Sequence, residues 1–271
     1  MSYNAAEFWK NFRLGTEVQV SGSFIYNALY FFDQMESFNN DEDIFQFLYN
    51  LSVGLERLEK IAVILLEHET SINQLEFEKT LITHSHIELI ERIQNNKKIV
   101  LGSSHNKLLQ LLTNFYKSMR YERFNLSSVY TPNQDALKFI QYVNSELQVE
   151  IKTNQLFVTA NDDRIKNFIG RTVGKIVTQI YQIVKAEAQR QNVYTYELRY
   201  GSKPYKIFMC EEFTFQKENL LKKEIIINLM NGSDSDGFVK FAKQISPLLF
   251  DYDLHELVKY IINPQSNLYL T

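Results

Sequence analysis

The chain has 271 residues, enough for one large domain or two modest ones. With 45% hydrophobic and 23% charged side chains it is an ordinary folding sequence, and nine Gly with four Pro are too few for a collagen or a turn-rich β sandwich. A net charge of −3 supplies no global field toward DNA or an anionic membrane.

Apolar residues at Val18, Val20, Phe24, Ile25, Ala28, Leu29, Phe31 and Phe32 fall near a 3.6 period and predict a first helix over 16–38. Asn40-Asp41-Glu42-Asp43 supplies a cap and an acidic first turn for a second helix. Its apolar stripe is wide: Ile44, Phe47, Leu48, Leu51, Leu55, Leu58, Ile61, Ala62 and Leu65. Residues 70–81 are ambiguous, with Ser71-Ile72-Asn73-Gln74 able to cap a short turn. A third helix is expected over 84–94, and a fourth over 106–124 after a break at Gly102-Ser103-Ser104. Thr131-Pro132-Asn133-Gln134 reads as a capping Thr with Pro in the first turn, opening a fifth helix through Leu137, Phe139, Ile140 and Val143.

The second half is less uniform. Residues 149–152 and 156–158 read as short strands around a Thr153-Asn154 turn. Asn161-Asp162-Asp163 caps a long helix with Ile165, Ile169, Val173, Ile176, Ile180 and Val184 on one face. Alternation over 194–200, then Gly201-Ser202-Lys203-Pro204, then residues 205–209, predicts a β-hairpin or extended arm. Helices near 217–230, 236–249 and 253–262 close the chain. The composition shift near 148–160 divides a bundle over 1–147 from a mostly helical region over 148–271, either separate or packed onto it.

Several motifs dissolve on inspection. Gly170-Arg171-Thr172-Val173-Gly174-Lys175-Ile176 looks like a phosphate loop, but it is one residue short between the glycines and has Ile where magnesium needs a hydroxyl. Small residues for close packing explain it better. The glycine-flanked acidic stretch at 231–237 suggests a calcium loop, yet Gly232 and Lys243 stand where ligands belong. His84 and His86 would point about 200° apart on a helix, so structural histidines are the plainer reading and no metal is expected. Cys210 is the single cysteine, which removes an intrachain disulfide and a cysteine zinc site. The N-terminal residues form no secretory leader and no run is long and apolar enough for a membrane span, so a cytoplasmic location without membrane or cofactor is expected. Lys outnumbers Arg by 20 to 9, a bias that points to AT-rich bacterial coding.

One constellation depends on topology. If the first four helices alternate up and down, the end of the second, the start of the third and the end of the fourth share a pole. That pole gathers Glu67, His68, His84, His86, Arg120, Tyr121 and Arg123, a set suited to an anion or an RNA phosphate. The competing reading is that Arg120 and Arg123 only neutralise helix-end carbonyls and acids.

Gly54-Leu55-Glu56-Arg57-Leu58-Glu59-Lys60-Ile61 in a long amphipathic helix, His84 and His86 with Leu89 on the next, and Tyr116-Lys117-Ser118-Met119-Arg120-Tyr121 resemble the helical core of the HEPN superfamily over residues 16–147. The resemblance implies a mainly α, up-and-down antiparallel bundle, usually a homodimer, of the kind found in bacterial defence and stress systems. Many such domains are metal-independent ribonucleases, and others are binding modules. The catalytic members carry Arg, four to six residues, then His. Here no histidine is preceded by Arg at that spacing, and the residues after Arg120 hold no imidazole. Acid–base cleavage needs a group that titrates near neutral pH. The expectation is therefore a non-catalytic HEPN-like binding protein for RNA, a nucleotide or a protein partner. Two alternatives stand beside it: a divergent ribonuclease using His84 or His86 with Arg120 or Arg123, and a structural protein–protein interaction module.

Overall fold

The second predicted helix forms where its stripe places it. In the computed structural model α3 spans Asp41–Glu67; Asn40 accepts from the Glu42 N–H, and the predicted stripe is buried throughout. Preceding it, α1 (Ala5–Phe8), a π turn (Trp9–Arg13) and α2 (Leu14–Gln34) make one continuous rod, because Phe8 and Arg13 at the junctions keep helical backbone angles. The rod thus begins well before Thr16. It ends at an extended Met35 rather than at Phe38, and Asn161 closes that end by donating to Phe32 O (2.7 Å) and Met35 O (3.2 Å).

The α2 and α3 rods are antiparallel: Glu17 pairs with Arg57, Ser21 Oγ donates to Gly54 O at 2.7 Å, and Phe32 packs on Phe47. Gly54 marks their close approach, since a Cβ there would lie 2.7 Å from Ile25 Cγ1 and 3.0 Å from Ile25 N.

The ambiguous stretch contains α4 (Gln74–Thr80), capped by Asn73. Next comes α5 (His86–Asn96), whose cap is Ser85. Glu56 meets His84, Glu59 meets His86 and Glu67 meets Arg92, so residue numbers rise together on both elements. Helix α5 therefore runs parallel to α3, a departure from simple alternation. Residues 68–85, α4 included, carry the chain back along α3 before α5 starts. Then α6 (Ser103–Asn114), a π turn (Phe115–Met119) and α7 (Arg120–Glu122) form a rod antiparallel to α3, with Tyr116 against Tyr49 and Arg123 over Phe45.

Helix α8 (Gln134–Leu147) follows Asn133 and not Thr131, and Asn133 Nδ2 donates to Asp41 at the start of α3. Two-residue strands β1 (Thr153–Asn154) and β2 (Phe157–Val158) pair antiparallel, so the residues expected to turn are themselves paired. Helix α9 (Asp163–Arg190) is capped by Asp162, which accepts from the Ile165 N–H at 3.0 Å, and the predicted face is buried. Gly170 lies under Phe213: a Cβ would sit 2.7 Å from Phe213 O, so smallness here serves packing.

The hairpin expected over 194–209 is absent. Tyr196–Leu198 is a 3-10 turn and α10 (Lys203–Phe208) is a helix, capped by Ser202 with Pro204 in its first turn, after Gly201 at φ +78°.

The structure describes residues 5–215 except 70, 132, 155–156 and 211–212, and beyond them Asn219, Leu220, Lys222 and Ile226. Two units are distinguished, Met1–Phe215 and Gln216–Thr271, and the boundary expected near 148–160 falls inside the first. The helices expected near 236–249 and 253–262, most of that near 217–230, and the glycine-flanked stretch at 231–237 lie outside the described residues. No helix among the described residues is long and apolar enough to cross a membrane.

Candidate functional site

Glu56 and Glu59 are three residues apart on α3, so both carboxylates face the segment that opens α5. His84 lies before the Ser85 cap and His86 is the first residue of α5, and each imidazole takes its own carboxylate. His84 Nδ1 stands 3.0 Å from Glu56 Oε2, and His86 Nδ1 stands 2.8 Å from Glu59 Oε2. The second pair is sealed in the core. The first reaches the surface: His84 is half exposed, and Glu56 also receives Lys60 Nζ at 2.6 Å.

Tyr116 joins this pair to the other rod. Its ring centroid lies 4.8 Å from that of His84, and the Arg120 guanidinium rests 3.7 Å from the same centroid. Arg120 also lies 4.6 Å from the Tyr121 ring. Tyr116 and Arg120 are four apart through the π turn, which puts them on one side of the rod. Among the described residues Arg120 has no carboxylate partner, and its Nε makes no hydrogen bond. Burial pushes the Tyr116 hydroxyl up, with Arg120 opposing, so the phenol stays protonated at neutral pH. Beside these groups opens a cleft of about 300 Å³, with Glu17, Arg57 and Lys60 on its polar side, Tyr116 and Trp9 at its walls and Val53 and Ile61 in its floor.

Of the seven groups expected at one pole, His84 and Arg120 meet the same Tyr116 ring, and Arg120 also meets Tyr121. The other four do not. His86 is held by Glu59. Glu67 pairs with Arg92, and His68 Nε2 meets Gln74 Oε1 at 2.8 Å between Trp9 and Phe77. Arg123 pairs with the buried Asp135 at 2.9 Å, over Phe45, and is neutralised there. The physical reason is the direction of α5. Because it parallels α3, its start faces the middle of that helix while the end of α3 meets Arg92.

Sequence reasoning missed Glu56, Lys60 and Tyr116 as site groups. Their i,i+4 spacings (Glu56 with Lys60, Tyr116 with Arg120) were visible signals. The facing of Glu56 and His84 was not, since it depends on the path of residues 68–85. Among the described residues no three of His, Cys, Asp or Glu could hold a metal ion. No family model, curated protein or solved structure matches the chain.

Proposed function

We propose that the chain is a HEPN-like binding module that takes a nucleotide, free or at the end of an RNA strand, by its phosphate between Arg120 and His84. The observation that carries this reading is the Arg120 guanidinium, stacked on two tyrosine rings, one of which also meets the His84 imidazole, and paired with no carboxylate among the described residues. Stacking orients the guanidinium fork without neutralising it, so its donors meet a phosphate with little ordering cost. The Tyr116 hydroxyl adds a neutral donor, and the adjoining cleft has room for an apolar ring. Arg57 and Lys60 already serve Glu17 and Glu56, which leaves Arg120 as the principal charge for the ligand. The HEPN-like part of the reading draws on the segment 54–61 of α3 and on Arg120 and His84 meeting the same Tyr116 ring.

Titration calorimetry with adenosine 5′-monophosphate and a short oligoribonucleotide tests this. Arg120→Gln should weaken both by about tenfold or more, the loss of a charge-assisted pair. Adenosine, which lacks the phosphate, should bind the wild type far more weakly. Equal affinity in wild type and variant contradicts the proposal.

The Glu56–His84 contact favours a second reading, a metal-independent ribonuclease. The carboxylate fixes the imidazole, leaving Nε2 for proton transfer, and Arg120 would stabilise charge on the phosphorane. RNA cleavage in the presence of EDTA that disappears in His84→Ala selects this reading; intact RNA selects binding alone.

A further inference from the structure

A second cavity, of about 340 Å³, lies where the last turns of α9 meet the segment after it, and it shares no lining residue with the cleft beside Tyr116. Its floor is apolar: Ala188, Val193 and Leu198. Its charged members are Lys185 and Arg199, and no acidic residue lines it. Glu187, the acid on this stretch of α9, is already held by Lys97 at 2.7 Å and Arg190 at 2.6 Å. Among the described residues neither Lys185 nor Arg199 has a carboxylate partner; the Lys185 ammonium instead rests 5.2 Å from the Tyr205 ring.

The wall holds an independent sign of a missing partner. Thr195 is 6% exposed and its Oγ1 makes no hydrogen bond among the described residues. A buried hydroxyl left unmatched destabilises the fold. Turned about χ1 toward the cavity, it would meet an acceptor oxygen bound there. Two cations with no carboxylate partner among the described residues, over an apolar floor and beside an unmatched hydroxyl, suit one kind of molecule. The volume falls within the range of small-molecule sites.

We propose that this cavity binds an organic carboxylate with an apolar body. The carboxylate sits on the Arg199 fork and the Lys185 ammonium, a guanidinium being geometrically matched to a carboxylate. The body lies on Ala188, Val193 and Leu198, with the Tyr194 ring at its edge. This site is separate from the proposed phosphate site and does not depend on it.

Titration calorimetry with phenylacetate tests the proposal, with phenylacetamide and phenethylammonium as neutral and cationic counterparts. Phenylacetate should bind saturably in the ~1 mM range, as befits a ligand of this size, and the counterparts should not. The exposed pair of substitutions Lys185→Gln and Arg199→Gln leaves the core untouched and should weaken binding by about tenfold or more. Thr195→Val gives a readout that packing alone would not: the melting temperature should rise as an unmatched hydroxyl is removed, while phenylacetate binds more weakly. Arg120→Gln should leave phenylacetate binding unchanged. The proposal is overturned if phenylacetate gives no saturable heat, if phenylacetamide binds equally, if the double substitution changes nothing, or if Arg120→Gln abolishes the binding.

Discussion

Replacing His86 by leucine should cost about 3–5 kcal/mol of stability, although the imidazole touches no solvent and no proposed ligand. Glu59 and His86 are both fully buried, and Glu59 Oε1 and His86 Nε2 have no hydrogen-bond partner among the described residues. The pair is satisfied only along the 2.8 Å contact between Nδ1 and Oε2. Removing one member strands the other in the core. Removing both with apolar residues of similar size, Glu59→Met with His86→Leu, should restore stability to the wild-type level or above, because the desolvation penalty of both groups vanishes. Urea denaturation reads the two results; a single variant as stable as the wild type would mean that the pair carries no such penalty.

The same pair sets a pH dependence. Burial pushes the Glu59 carboxyl up, with the His86 imidazole opposing. A carboxyl held above its unfolded value binds protons more tightly in the folded chain. Its contribution to stability is therefore full below the ordinary glutamate range and is lost as pH rises through the raised value. The stability of wild type minus that of Glu59→Gln should decline as pH rises from about 4 toward neutrality.

The second large effect is expected at Gly54. In an exposed helix, alanine for glycine gains roughly 1 kcal/mol. Here the sign should reverse. The new Cβ would meet Ile25 Cγ1 at 2.7 Å and the Ile25 backbone nitrogen at 3.0 Å, and a backbone atom within a helix has little room to yield. Gly54→Val should cost about 3 kcal/mol or more, with Gly54→Ala between it and the wild type. Spreading α2 from α3 would also stretch the Ser21–Gly54 hydrogen bond and separate Glu17 from Arg57 at the cleft, so Gly54→Ala should weaken ligand binding along with stability. Thermal melts of the three proteins check the order.

The legible parts of the fold were those where local chemistry and burial agree. Helix α3 was written in Asn40, three acids and a long stripe; α9 was written in Asp162 and six apolar residues on one face. The segment 194–209 misled because exposed Tyr194 and Tyr196 alternate with buried Val193 and Thr195 as on a half-buried strand, although the backbone closes into a 3-10 turn at Tyr196–Leu198. The stronger signal there was Ser202 followed by Pro204, a helix start. The site was half legible. Arg120 and His84 were recognisable as a cation and an acid–base group, and the structure does bring both to one tyrosine ring. What sequence patterns lack is direction. Nothing in the stripe of α5 states that it parallels α3, and that orientation is what parts Glu67 and His68 from His84.

The proposed phosphate site is tested most directly by the imidazole resonances of the five histidines, followed by NMR during titration with adenosine 5′-monophosphate. The expected result is a saturable shift at His84, with His86 unmoved behind its buried carboxylate and the His84 shift lost in Arg120→Gln. A His84 resonance that stays in place while the nucleotide binds, or the same shift in Arg120→Gln as in the wild type, would contradict it.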